Sequence, residues 1–178
     1  KRMEEIKNRW EEIAKEAVNV LINTPVNDID RKYNCDKNKF IQFKGWVRGW
    51  TNDKNWLNYG FFFEEEKINW NSDQCPITFS LLNNLKTKYK IILAGYSLLK
   101  PFSNIPKHRD SLRGDLAIHL PLYVPEPEKC ILGVNDKIHH HTPGNIIYFD
   151  DSNTHFAQNN SKYNRIILYI KLDKRIEN

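Results

Sequence analysis

His108-Arg109-Asp110 places an imidazole and a carboxylate two positions apart. In a strand or its extended exit, residues i and i+2 point the same way, so both donors can face one metal ion. A second imidazole, His155, follows the strand-like Ile146–Phe149 and the turn Asp150-Asp151-Ser152-Asn153. Two His and one carboxylate on one face of a metal, with the other positions open, is the donor set used for Fe(II) and O2 chemistry. Arg165 begins the last strand-like run, where a guanidinium can hold an acid cosubstrate through a bidentate pair to its carboxylate.

Other chemistry-bearing residues compete with this set. His139-His140-His141 is a run of three imidazoles, but adjacent strand residues face opposite ways and cannot all serve one site. It precedes the turn Thr142-Pro143-Gly144 and is expected in a solvent-exposed or substrate-side loop. One of Asp150 and Asp151 is expected to cap or brace the turn that presents His155. Cys75, followed by Pro76, and Cys130 have no basic neighbour and are expected to pack in the core. Trp46 and Trp50 read as core or fold-closing residues in preference to a stacking platform.

The elements that must position these groups are mostly strands. Ile6, Trp10, Ile13, Ala17 and Leu21 recur at three- and four-residue steps and predict one N-terminal helix within 1–25, stopped at Asn23-Thr24-Pro25. Its polar face mixes both signs, unlike a membrane-surface helix. From Asn27 to about Asn71 come short aromatic runs in polar turns: Phe40–Phe43, Trp46–Trp50 and Tyr59–Phe63. A short helix is predicted over Phe79–Leu85. Strands are then predicted over Lys90–Tyr96, Asp115–Tyr123, Cys130–Val134, Asn145–Phe149 and Arg165–Leu172. Short strands divided by Pro, Gly and Asn point to a sandwich or barrel, not βαβ units.

Length and charge bound the answer. The 178 residues suit one domain, and 12% aromatics can fill a core. No apolar run reaches the ~20 residues that cross a bilayer. The three cysteines have no paired spacing and fit a reducing, cytoplasmic setting. The chain opens on Lys1 without an initiator Met and reads as a trimmed or processed piece. The +5 charge is modest and its basic residues are dispersed, so nucleic acid is disfavoured as a partner.

The order HxD, strand-rich gap, distal His, then Arg resembles the double-stranded β-helix (jelly-roll) oxygenases dependent on 2-oxoglutarate. Further segments narrow the resemblance: Trp56-Leu57-Asn58-Tyr59, Cys75-Pro76-Ile77-Thr78, Tyr96-Ser97-Leu98-Leu99-Lys100-Pro101, Ile105-Pro106-Lys107-His108, His119-Leu120-Pro121-Leu122, Pro143-Gly144, Phe149-Asp150-Asp151-Ser152-Asn153-Thr154-His155 and Arg165-Ile166-Ile167-Leu168. Together, over about 56–172, they look like the aspartyl/asparaginyl β-hydroxylase family. The resemblance implies a mainly β, cupin-like jelly roll in a single oxygenase domain over 1–178. It implies His108 and His155 as iron-binding histidines, and Ser97 and Arg165 as holders of the distal carboxylate of 2-oxoglutarate. His119 would lie near the cosubstrate's other carboxylate. Asp110 completes a triad that some family members lack. The family's usual Arg two residues before the matched His is Ala117 here, which leaves Arg113 and Arg109 as candidates to replace it.

The cofactor set so implied is Fe(II), 2-oxoglutarate and O2, with succinate and CO2 formed as a substrate C–H bond becomes C–OH. The simplest substrate is the β-carbon of Asp or Asn in a peptide or protein. Alternatives are a lipid acyl chain or small molecule, or a non-catalytic jelly-roll binding module. The intact His108, Asp110, His155 and Arg165 argue against the last of these.

Overall fold

The computed structural model describes residues 2–27, 44–49, 53–110 and 112–177. The runs Phe40–Phe43 and Trp50, and Cys35, lie outside them. The N-terminal segment forms two helices, α1 (Arg2–Asn8) and α2 (Trp10–Asn23), where one was expected. Arg9 leaves helical geometry at φ −107°, ψ 22°. The apolar spacing does not register this break, because Ile6 before it and Ile13, Ala17 and Val20 after it all stay on the buried face. Extended Thr24, followed by Pro25, ends α2.

Two short strands follow, β1 (Val26–Asn27) and β2 (Trp46–Arg48), then β3 (Trp56–Phe63) and β4 (Glu66–Lys67). Next come α3 (Asn69–Gln74), which the aromatic texture hid, and α4 (Pro76–Lys86). Proline suits the first turn of α4, since its missing N–H would have no helical partner there. Glu16 of α2 accepts the N–H groups of Ile77 at 3.0 Å and Thr78 at 2.7 Å, and the Thr78 hydroxyl at 2.7 Å. One carboxylate thus caps α4 and ties the N-terminal helices to the rest of the chain.

The remaining strands are β5 (Tyr89–Leu99), β6 (Ser103–His108), β7 (Leu116–Tyr123), β8 (Cys130–Val134), β9 (Lys137–His140), β10 (Ile147–Asp150), β11 (His155–Asn159) and β12 (Arg165–Glu177). Among the described residues the larger sheet runs β1-β2-β3-β5-β12-β7-β10 with β4 beside β3, and the smaller runs β6-β11-β8-β9. From β5 to β12 the chain passes back and forth between β5-β12-β7-β10 and β6-β11-β8-β9, all paired antiparallel. This is a double-stranded β-helix, or jelly roll.

The two faces of β12 show how the larger sheet divides its labour. Ile166, Leu168, Ile170 and Leu172 pack with Ile13, Ala17 and Val20 of α2 and Leu82 and Leu85 of α4. The intervening Arg165, Ile167, Tyr169 and Lys171 line a cavity that the smaller sheet also borders. With helices on one side and a second sheet on the other, the strand carries an almost unbroken apolar run. Burial of a side chain such as Leu168 contributes about 2 kcal/mol.

Candidate functional site

His108 ends β6 and His155 begins β11, and the two are cross-strand partners. Their ring centroids are 4.2 Å apart. Asp110, two residues beyond β6, places Oδ1 3.3 Å from His108 Nε2 and Oδ2 3.1 Å from His155 Nε2. One donor atom from each of the three lies within 4.8 Å of the others, so the group can hold a metal ion.

The backbone sets the tautomers. His108 Nδ1 lies 2.8 Å from the Pro106 carbonyl, and His155 Nδ1 lies 2.8 Å from the Asn153 carbonyl. A carbonyl oxygen only accepts, so each Nδ1 carries a proton and each ring turns its Nε2 toward Asp110, as an N–H donor to the carboxylate when protonated and as a bare ligand when a metal takes the proton's place. Burial disfavours the Asp110 carboxylate, but hydrogen bonds from His108 and His155 outweigh it and hold the group well below the usual range. His108 is raised chiefly by its bond to Asp110, against burial. Three lone-pair donors converging in this way need a cation or protons between them, which fits a divalent metal.

The loop that carries Asp110 is tied to the turn before His155. Asp110 N–H donates to the Asp151 carbonyl at 3.0 Å, and Asp151 N–H to the Asp115 carbonyl at 3.1 Å. The buried Asp151 carboxylate pairs with Lys171 Nζ at 3.0 Å, away from the three donors. Asp150 caps its own turn, accepting Ser152 N–H at 2.9 Å and the Ser152 hydroxyl at 2.6 Å. The two aspartates thus brace the turn with side chain and backbone respectively.

Ser97, His119 and Arg165 lie on the larger sheet and line the same cavity of about 420 Å³ as His108, Asp110 and His155. Arg165 is 1% exposed. Its Nη2 donates to Ser97 Oγ at 3.2 Å and to the Ser97 carbonyl at 3.4 Å. Trp56 Nε1 donates to the same hydroxyl at 3.0 Å. Arg165 Nε is sealed from solvent with no partner. Burial lowers the guanidinium to about 10, which still leaves it charged at neutral pH. A buried cation with an orphaned N–H is a fitting cradle for a ligand carboxylate.

The sequence reading missed what lies beside His119. His141 is fully buried, not in an exposed or substrate-side loop, and its Nε2 lies 3.1 Å from His119 Nδ1. Period-two alternation, continued one residue past β9, puts His139 and His141 on one side and exposed His140 on the other. Arg113 is likewise not spare for a cosubstrate, since its Nε contacts the Asp115 carboxylate at 2.9 Å. Arg109 is exposed, with Nε 3.4 Å from Thr154 Oγ1. Cys75 and Cys130 are buried, and burial pushes the Cys75 thiol up to about 12, so it stays protonated and inert.

A protein-family model described as aspartyl/asparaginyl beta-hydroxylase matches residues 7–175. The chain belongs to that family. The match includes α2 and so extends beyond the 56–172 on which the resemblance rested. An ornithine lipid ester-linked acyl 2-hydroxylase of Rhizobium tropici is 28% identical over 135 residues, covering 74% of this chain and 46% of the relative. An uncharacterized protein, L888, of Acanthamoeba polyphaga mimivirus is 28% identical over 131 residues, covering 70% of this chain and 46% of its own. The chain therefore spans about half the length of these curated relatives. Among solved structures, a cupin domain of an XRE-family transcriptional regulator from Enterobacter cloacae has a TM-score of 0.46 at 8% identity, covering 66% of this chain and 96% of that one. The Schizosaccharomyces pombe Cnp3 cupin domain has a TM-score of 0.45 at 12% identity, covering 67% and 66%.

Proposed function

We propose that this protein is an Fe(II)- and 2-oxoglutarate-dependent hydroxylase. One observation carries the reading: three converging metal-type donors and a buried, carboxylate-free Arg165 open on one cavity. His108, Asp110 and His155 would hold the iron, and Arg165 with Ser97 would hold the far carboxylate of 2-oxoglutarate. Bound together, iron and cosubstrate would supply O2 activation, with one oxygen atom entering succinate and the other a substrate C–H bond.

The chain's own residues then have defined tasks. The Pro106 and Asn153 carbonyls keep the Nε2 lone pairs of both imidazoles available. The Asp110–Asp151 backbone bond holds the carboxylate over them. Ser97 and Trp56 fix the Arg165 fork so that the cosubstrate is oriented before substrate arrives.

For the substrate, the cavity favours an aliphatic chain over the Asp or Asn side chain that the sequence placed first. Beyond the donors its lining runs along β3 and β5, past Gly60 and Gly95, to Leu93, Phe62 and Phe63. Gly60 and Gly95 are cross-strand partners, and a Cβ on Gly95 would come within 2.6 Å of the Tyr59 carbonyl. Among the described residues lining the cavity, Lys171 is paired with Asp151, which leaves no spare cation for a substrate carboxylate once Arg165 holds the cosubstrate. The acyl hydroxylase relative points the same way. The test is purified protein with Fe(II), ascorbate and 2-oxoglutarate, assayed for succinate, then mass spectrometry for a one-oxygen gain on lipid, peptide and amino-acid candidates. Absence of both 2-oxoglutarate binding and succinate formation sinks the reading.

A further inference from the structure

His119 and His141 form a buried imidazole pair with centroids 5.4 Å apart and planes at 27°. Phe149 and Tyr169 pack against His119 at 5.2 Å and 5.4 Å. The His141 backbone is pinned to β8 by its N–H bond to the Cys130 carbonyl at 2.9 Å. Burial pushes both rings well below the ordinary histidine value, with Arg165 adding to the effect. Both are therefore neutral, each with one N–H, and only one of them can donate across the 3.1 Å contact between His119 Nδ1 and His141 Nε2.

The two possible arrangements differ at both outer nitrogens. If His119 Nδ1 donates, His141 must carry its proton on Nδ1, which is sealed without a partner. His119 would then show a bare Nε2. If His141 Nε2 donates, the sealed Nδ1 is only a bare acceptor, and His119 carries its proton on Nε2. Orphaned buried N–H groups are rarer than under-satisfied acceptors. His119 Nε2 has no protein partner and is not sealed, so it opens on the cavity that His119 lines.

We propose that His141 is a positioning residue that donates to His119 Nδ1, fixing His119 in the Nε2–H form so that it presents an N–H donor to the 2-oxo acid carboxylate in the cavity. The inference rests on the 2-oxoglutarate reading above. Arg113 is engaged by Asp115, Lys171 by Asp151, and Arg109 is exposed and outside the cavity lining, so a neutral N–H, not a second cation, serves that end of the cosubstrate.

Long-range proton–nitrogen correlation spectra of the imidazoles in Zn(II)-loaded wild-type protein test the tautomer without any substitution. The expected spectrum has His119 and His141 both protonated at Nε2 and bare at Nδ1; a proton on His119 Nδ1 overturns the proposal. Calorimetry of 2-oxoglutarate binding to Mn(II)-loaded variants tests the consequence. His141→Leu is expected to weaken binding about tenfold, with Mn(II) affinity unchanged. His141→Gln, which keeps an N–H near the Nε2 position, is expected to restore most of the loss. Wild-type affinity in His141→Leu, or a Gln variant as weak as Leu, overturns it. Should wild-type protein bind Mn(II) but no 2-oxoglutarate, the functional reading falls instead, and the ring spectra still decide the tautomer.

Discussion

The two sheets of this jelly roll are built from different material and do different work. The larger sheet has the core strands YKIILAGYSLL, LAIHLPLY and the first half of β12, buried between the helices and the second sheet. The smaller sheet is made of SNIPKH, CILGV, KIHH and HFAQN, short strands of which the first and third carry exposed and charged positions. Yet the smaller sheet carries His108 and His155 at adjacent strand ends, while the larger carries Ser97, His119 and Arg165, which line the same cavity. Most of the buried core lies in one sheet and the candidate metal donors lie in the other. The cavity is where the two must register.

The largest effect expected from breaking this division is at His155. His155→Ala should abolish metal binding and succinate formation while circular dichroism stays native. Retained turnover would mean that the metal donors lie elsewhere. Next is the scaffold: Leu168→Ala, on the helix-facing side of β12, should cost about 2–5 kcal/mol in denaturant unfolding.

Arg165→Met sharpens the contrast, because it separates function from stability within the larger sheet. It should weaken 2-oxoglutarate binding by roughly 10- to 100-fold, with metal affinity unchanged. The melting temperature of the ligand-free protein should hold or rise, since a buried, unpaired charge costs stability. A marked fall would make Arg165 a structural residue. Glu16→Gln should cost about 1–2 kcal/mol through loss of the α4 cap and leave both affinities intact. Ile138→Ser, on the half-exposed face of β9, should change stability by no more than about 0.5 kcal/mol.

The same contrast explains what was legible in the sequence. The central strands of the larger sheet, β5, β7 and β12, announce themselves by their long apolar runs; β7 matches its predicted run to within one residue, and β5 and β12 only extend beyond theirs. In the smaller sheet only β8 is legible. Ser103–His108 contains Pro106 and Lys107, and His155–Asn159 has three polar residues in five, so neither signals a strand by apolar content. The candidate site stands out in the sequence for the opposite reason: side chains such as His108, Asp110 and Arg165 are singled out by their chemistry, not by their burial. His141 escaped because its role depends on which way a polar strand's exit faces, and the placement of β9 against β8 decides that.

The central claim is that one cavity joins a metal site on the smaller sheet to an anion site on the larger. Calorimetric titration of 2-oxoglutarate into wild-type protein, with and without Mn(II), tests it most directly. The account predicts one binding site that requires the metal and is lost or severely weakened in both His155→Ala and Arg165→Met. No binding to metal-loaded protein, or binding indifferent to metal and to both substitutions, would contradict it.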